Sequence, residues 1–170
     1  MSVTLHTTKG DIKIELYCAH VPRSAANFLA LCASHQFAAM PFHRVIPSFI
    51  IQAGDPSGSG TLSRAAFAKR LPDEIHPQLT FDKPGVVAYA NSGRPSNKGV
   101  GSQFFITLAP ASHLDATCTI VGHVIHGMSV VRHISSVPCE RNTPIQPVVV
   151  QSLTIHANPF ADGSIAYRTN

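Results

Sequence analysis

The chain has 170 residues, a formal charge of +4 and a pI near 9.1, with 44% hydrophobic and 13% charged residues. That composition excludes a disordered chain, and the length suits one domain that buries about two-thirds of the surface its unfolded form exposes. The basic residues are scattered, only Lys69 and Arg70 being adjacent, so no clustered surface for direct nucleic-acid binding is expected.

In chain order, Val3 and Leu5 alternate with Thr4 and His6, and Ile12, Ile14 and Leu16 alternate with Lys13, Glu15 and Tyr17. The turn signal Thr8-Lys9-Gly10-Asp11 lies between them, so Val3–Leu16 predicts a β-hairpin. Pro22 suits the first turn of a helix, where its missing N–H costs nothing. Ala25, Phe28, Leu29 and Cys32 then follow at helical spacing, predicting one helix of about twelve residues. Further strands are predicted at Phe42–Ile46, Phe49–Ala53, Gly85–Ala90, Phe104–Leu108, Cys118–Val124 and Val148–His156. A second helix is predicted near Met128–Ser136, with Val130, Val131 and Ile134 on its buried side. Many short strands between Pro/Gly turns suggest an antiparallel barrel, although a sandwich fits the pattern equally well.

No apolar leader is visible at the N-terminus and no run approaches eighteen apolar residues. An intracellular protein with no membrane association and four free thiols (Cys18, Cys32, Cys118 and Cys139) is expected. No metal or other cofactor is expected. His123 and His126 fall three apart along a segment, Thr119–Ile125 and its end, that reads as a strand, so they point to opposite faces, and no other histidines form an HExxH-like helical pair. Gly54–Gly60 is glycine-rich but lacks the GK[ST] of a phosphate loop and reads as a turn.

Two long segments carry the functional signal. Pro41–Pro56 sets Arg44 among Phe42, Val45, Ile46, Phe49, Ile50 and Ile51, with Gln52 following, and burying such an arginine unpaired is costly. Ala88–Leu108 carries Ala90-Asn91, Gly93 and Gly101-Ser102-Gln103-Phe104-Phe105-Ile106. In this order, Phe42-His43-Arg44, Ile46, Phe49, Gln52, Gly54-Asp55 and the second segment resemble the signature of the cyclophilins, the peptidyl-prolyl cis-trans isomerases. The match runs from about Val3 to Ala161, giving an isomerase domain over 1–161 and a polar, mobile tail over 162–170.

That resemblance implies a mostly β fold, a closed eight-stranded antiparallel β-barrel capped by two α-helices. It implies a monomer that acts on proline-containing peptide segments. Arg44 would stabilise the twisted amide and Gln52 would orient it. Phe49, Phe105 and Leu114 would form the proline pocket, with Ile50 and Ala90 in its lining, while the Asn91 backbone and the Gln103 side chain hold the peptide. The start of the chain, Phe28–Ser34, His113-Leu114-Asp115 and Thr154–Ala161 most resemble the isomerase-like 3 branch. Those are single-domain members associated with the spliceosome, which implies a spliceosomal protein partner, a role in mRNA processing and a place in nucleus or cytoplasm.

Several positions depart from the family pattern. His113 stands where typical members carry tryptophan, which implies weak cyclosporin binding. Cys118 replaces a pocket histidine or tyrosine, implying a wider or wetter pocket and reduced activity. Ile50 replaces a methionine, Thr61–Ala68 reads TLSRAAFA in place of a glycine-rich stretch, and Arg94–Val100 is about three residues longer. Three functions therefore compete on the sequence: an active isomerase, a catalytically weak proline-binding module within a ribonucleoprotein assembly, and, least favoured because Val, Ile and Phe fill the barrel interior, a β-barrel carrier for a small ligand.

Overall fold

The computed structural model describes residues 1–91 and 98–158. Gly93, most of the longer stretch near 94–100, and the tail with its boundary at Ala161 lie outside the described residues.

Period-two alternation builds the first hairpin as the sequence predicts. Strand β1 (Ser2–Thr7) pairs antiparallel with β2 (Gly10–Leu16) in a register of Val3 with Ile14 and Leu5 with Ile12. All four of those apolar side chains are buried, together with Leu16. Helix α1 (Pro22–Ala33) has proline in its first turn and no side-chain cap of its own. The Glu74 carboxylate supplies one from fifty residues away, accepting from Ser24 N at 2.6 Å and Arg23 N at 3.3 Å.

The predicted strand Phe42–Ile46 is instead broken into β3 (Met40–Pro41) and β4 (Arg44–Ile46). The break has a cause: Phe42 N bonds to Val148 O while Val45 N bonds to Asn142 O, so the two halves follow different neighbours. After β5 (Ile50–Ala53), β6 (Val86–Tyr89), β7 (Phe104–Thr107), β8 (Ile120–His126), α2 (Met128–Ser135), β9 (Cys139–Glu140), β10 (Thr143–Pro144) and β11 (Val149–Ile155), the main sheet is ordered β3-β11-β1-β2-β8-β6-β7-β5-β4. Its two outermost strands are separated in sequence by only Phe42 and His43. Two residues reach about 7 Å at most, so the chain itself joins the edges and the antiparallel sheet closes. Counted as one bent strand, β3 and β4 bring the barrel to eight strands. The short pair β9–β10 lies outside it and is not evident in the sequence.

Alternation also sorts the central strands into two apolar groups. Ile51, Val87, Tyr89, Phe104 and Ile106 face one core with α1, α2 and the β1–β2 hairpin. There Phe28, Phe37 and Phe104 form a ring triangle with centroids 5.3–5.4 Å apart. Ile50, Val86, Ala88 and Phe105 face the opposite way and pack with Phe81, Ala111, Cys118 and Ile120. Strands β5, β6 and β7 are thus buried on both faces. The second, outer group positions the site.

Candidate active site

Ladder registry brings the first motif against the second. Arg44 pairs with Gln52 across β4–β5, Gln52 with Phe105 across β5–β7, and Ala88 with Phe105 across β6–β7. Gly54, just past β5, has φ of +104°, and a Cβ there would strike the Ser102 carbonyl and Gln103 Cα. Glycine at this position lets the two motifs touch backbone to backbone.

The result is one cavity of about 330 Å³ on the outer face of the sheet. Arg44, Phe49, Ile50, Gln52, Ala90, Asn91, Gln103, Phe105, Leu114 and Cys118 all line it. His113 does not. It is exposed on the short 3₁₀ turn Ser112–Leu114, with its ring tilted against Phe49 at 5.6 Å. Phe105 stacks on Phe81 at 5.9 Å, so its ring is held from behind.

A directed chain of hydrogen bonds runs along one wall. Arg44 Nη1 donates to Gln52 Oε1 at 3.3 Å, Gln52 Nε2 donates to Gln103 Oε1 at 2.9 Å, and Gln103 Nε2 donates to Gly60 O at 3.0 Å and Leu62 O at 2.9 Å. The guanidinium can only donate and the last two carbonyls can only accept, so both amides have one possible orientation. Gln103 therefore spends both side-chain donors inside the protein. Its side chain thereby anchors Gln52 and the loop at 60–62 while it also lines the cavity.

That loop is organised by Asp55, a fully buried carboxylate that accepts from Ser57 N (2.8 Å), Ser57 Oγ (2.6 Å), Leu62 N (3.0 Å) and Ser59 Oγ (3.2 Å). Burial alone would raise its pKa, but these donors outweigh it and hold the carboxyl below its ordinary range. Burial pushes the Cys118 thiol up, against hydrogen bonds with Thr117 and the Asn91 backbone. Burial thus favours the neutral thiol, and Cys118 forms a small wall of the pocket.

Residues 2–155 match the family model for cyclophilin type peptidyl-prolyl cis-trans isomerases. The chain belongs to the cyclophilin family. It is 45% identical to the mouse peptidyl-prolyl cis-trans isomerase-like 3 over 163 residues, covering 95% of this chain and 99% of that protein. The protein of the same name from Rhizopus delemar is 48% identical, with 95% and 98% covered. Among solved structures, a Cryptosporidium parvum cyclophilin type isomerase, crystallised in the presence of the dipeptide Ala-Pro, matches with a TM-score of 0.87. It has 35% identity, with 93% of this chain and all of that one covered. Family membership makes this chain a peptidyl-prolyl cis-trans isomerase.

Beyond the residues named from its motifs, this cyclophilin lines the cavity with Gly60, Thr61, Ser63 and Arg70. All four belong to or flank the segment that departs from the family's glycine-rich pattern. Arg44 is thus not the lone cation of the pocket, and it is itself exposed at the rim. Arg70 could have been noticed as half of the one adjacent basic pair, but nothing local in the sequence says that the loop folds over the site. The loop is held there by tertiary bonds: Asn27 Oδ1 accepts from Ala66 N at 2.7 Å, while Asn27 Nδ2 donates to Gly101 O and to the Tyr89 hydroxyl.

Proposed function

We propose that this cyclophilin accelerates rotation about X–Pro bonds by directing the Arg44 guanidinium at the prolyl nitrogen. Rotation breaks amide resonance, and in the twisted state that nitrogen regains its lone pair. A donor cation beside it favours the twisted form over either planar one, which is binding specific to the transition state. No bond to carbon is made or broken, so no nucleophile, acid or metal enters the step.

Spontaneous isomerisation takes tens to hundreds of seconds. Reaching about 10³ s⁻¹ needs about five powers of ten, or about 7 kcal/mol. One charge-assisted hydrogen bond supplies only about 1.5–3 kcal/mol. The apolar end of the cavity, with Phe49, Phe105, Leu114 and Cys118, would seat the proline ring and exclude water from the bond; contacts along Ala90 and Asn91 would hold one side of the peptide while the other turns. The observation that carries this reading is the Arg44–Gln52 pair opening into the same cavity as the phenylalanines. Exchange NMR on an Ala-Pro peptide tests it: Arg44→Ala should slow turnover at least tenfold with the fold intact, and equal turnover would sink the mechanism.

The small side chain of Cys118 favours a second reading: a proline-binding module, for instance within a spliceosomal assembly, whose turnover is low. The same measurement separates the two, because such a module would bind the peptide and broaden its signals without exchanging the isomers.

A further inference from the structure

The cavity is uneven in charge. Among the described residues its lining holds two arginines, Arg44 and Arg70, and no acidic residue. Neither arginine forms an ion pair among the described residues. Arg70 Nη1 donates to Gly99 O at 3.3 Å, and its other donors have no partner among the described residues. Asp73 lies near enough to favour its charge without forming an ion pair with it, and one Asp73 oxygen accepts from the Thr119 hydroxyl at 2.8 Å.

Ser63 stands beside it. A Cβ built on Gly101 would strike Ser63 Oγ and come within 3.2 Å of Arg70 Nη1, so the two side chains converge over that glycine. Ser63 Oγ accepts from Ser102 N at 3.0 Å and from Gln103 N at 3.1 Å. Both lone pairs are therefore filled, and the hydroxyl hydrogen has no acceptor among the described residues. An open hydroxyl donor and an open guanidinium, held together on a wall without acids, form a recess built for an anion.

We propose that Ser63 and Arg70 form an anion-reading subsite, so that this isomerase prefers X–Pro segments with an acidic side chain, carboxylate or phosphate, near the proline. The preference rests on the peptide lying in this cavity, but not on Arg44 being the catalytic cation. A cavity of 330 Å³ is about 7 Å across, which two extended residues span. The anion should therefore sit about two residues from the proline.

Exchange NMR on the full chain, with peptides differing only at that position, on either side of the proline, tests the idea. Glutamate and phosphoserine should each raise kcat/KM about tenfold over alanine at low salt, and added salt should shrink the gain. Lysine should lower it. If phosphoserine gains and glutamate does not, the anion read is phosphate; the reverse identifies carboxylate. Arg70→Glu should invert the glutamate-to-lysine ratio, and Arg70→Lys should keep its direction. Ratios within twofold of one in the unmodified protein, or ratios unmoved by Arg70→Glu, overturn the proposal. Arg44→Ala should slow all peptides alike, so the two arginine assignments fail separately.

Discussion

Gln52 lies directly opposite Arg44 in the β4–β5 ladder and accepts a hydrogen bond from its guanidinium at 3.3 Å. It is itself clamped by Gln103, so the aim of an exposed cation is set by two buried amides. Gln52→Ala should leave Arg44 charged but free to swing. Turnover should fall about three- to tenfold, mostly in kcat, because the contact weakened by losing Arg44's aim is the one it makes to the twisted amide in the transition state. A change confined to KM would show that Gln52 binds substrate instead of orienting Arg44.

Cys118 supplies a small wall where the family places a ring. Cys118→His should narrow the cavity, exclude water and raise turnover on an Ala-Pro peptide. The competing outcome is no gain at equal stability, which would mean that Ile50 and Phe105 already close the space.

His113 lies outside the cavity wall with its ring against Phe49. A cyclosporin-type inhibitor should bind weakly for want of a large apolar face there, and His113→Trp should tighten it. Calorimetry decides; nanomolar affinity of the unmodified protein would contradict this reading of the rim.

Burial lowers the pKa of both His43 and His123 below the ordinary 6.5, in each case against the pull of a carboxylate. Each is then harder to protonate folded than unfolded. Their contribution to stability is complete above pH 6.5 and is lost as the pH falls through their folded values. Denaturation midpoints followed from pH 8 to 5 should drop below about pH 6.5, and His43→Gln should flatten part of that slope.

Gly54→Ala should destabilise the protein by about 2 kcal/mol or more, since both its φ of +104° and the nearby Ser102 carbonyl oppose a side chain. Chemical denaturation would register it, and loss of turnover should accompany the loss of stability because the two motifs meet there.

The hairpin and both helices are legible in the sequence because one buried face imposes a period of 2 or 3.6 on their residues, while β5, β6 and β7, buried on both faces, read as short apolar runs. Phe42–Ile46 misleads: it holds no glycine or proline to mark a break, and only the Val148 and Asn142 carbonyls split it. At the site, the motif residues announce themselves through an arginine in apolar company. Ser63 and Arg70 do not, since their position depends on Asn27 and Ser24, far away in the chain, which grip the loop at Ala66 and, past its end, at Glu74. Gln103 looks from its motif like a peptide ligand, and only the geometry of Gly60 and Leu62 reveals that its donors are spent.

Asn27 sits inside α1, fully buried, yet one of its bonds fixes Ala66 in the loop and another fixes Gly101 beneath the Ser63–Arg70 recess. The loop over the site is thereby made part of the helix's own packing. The entropy of ordering it is lost when the chain folds and not each time a peptide arrives, which leaves more of the contact energy for recognition. Changes to the α1 core should accordingly surface as altered peptide selectivity before they surface as unfolding.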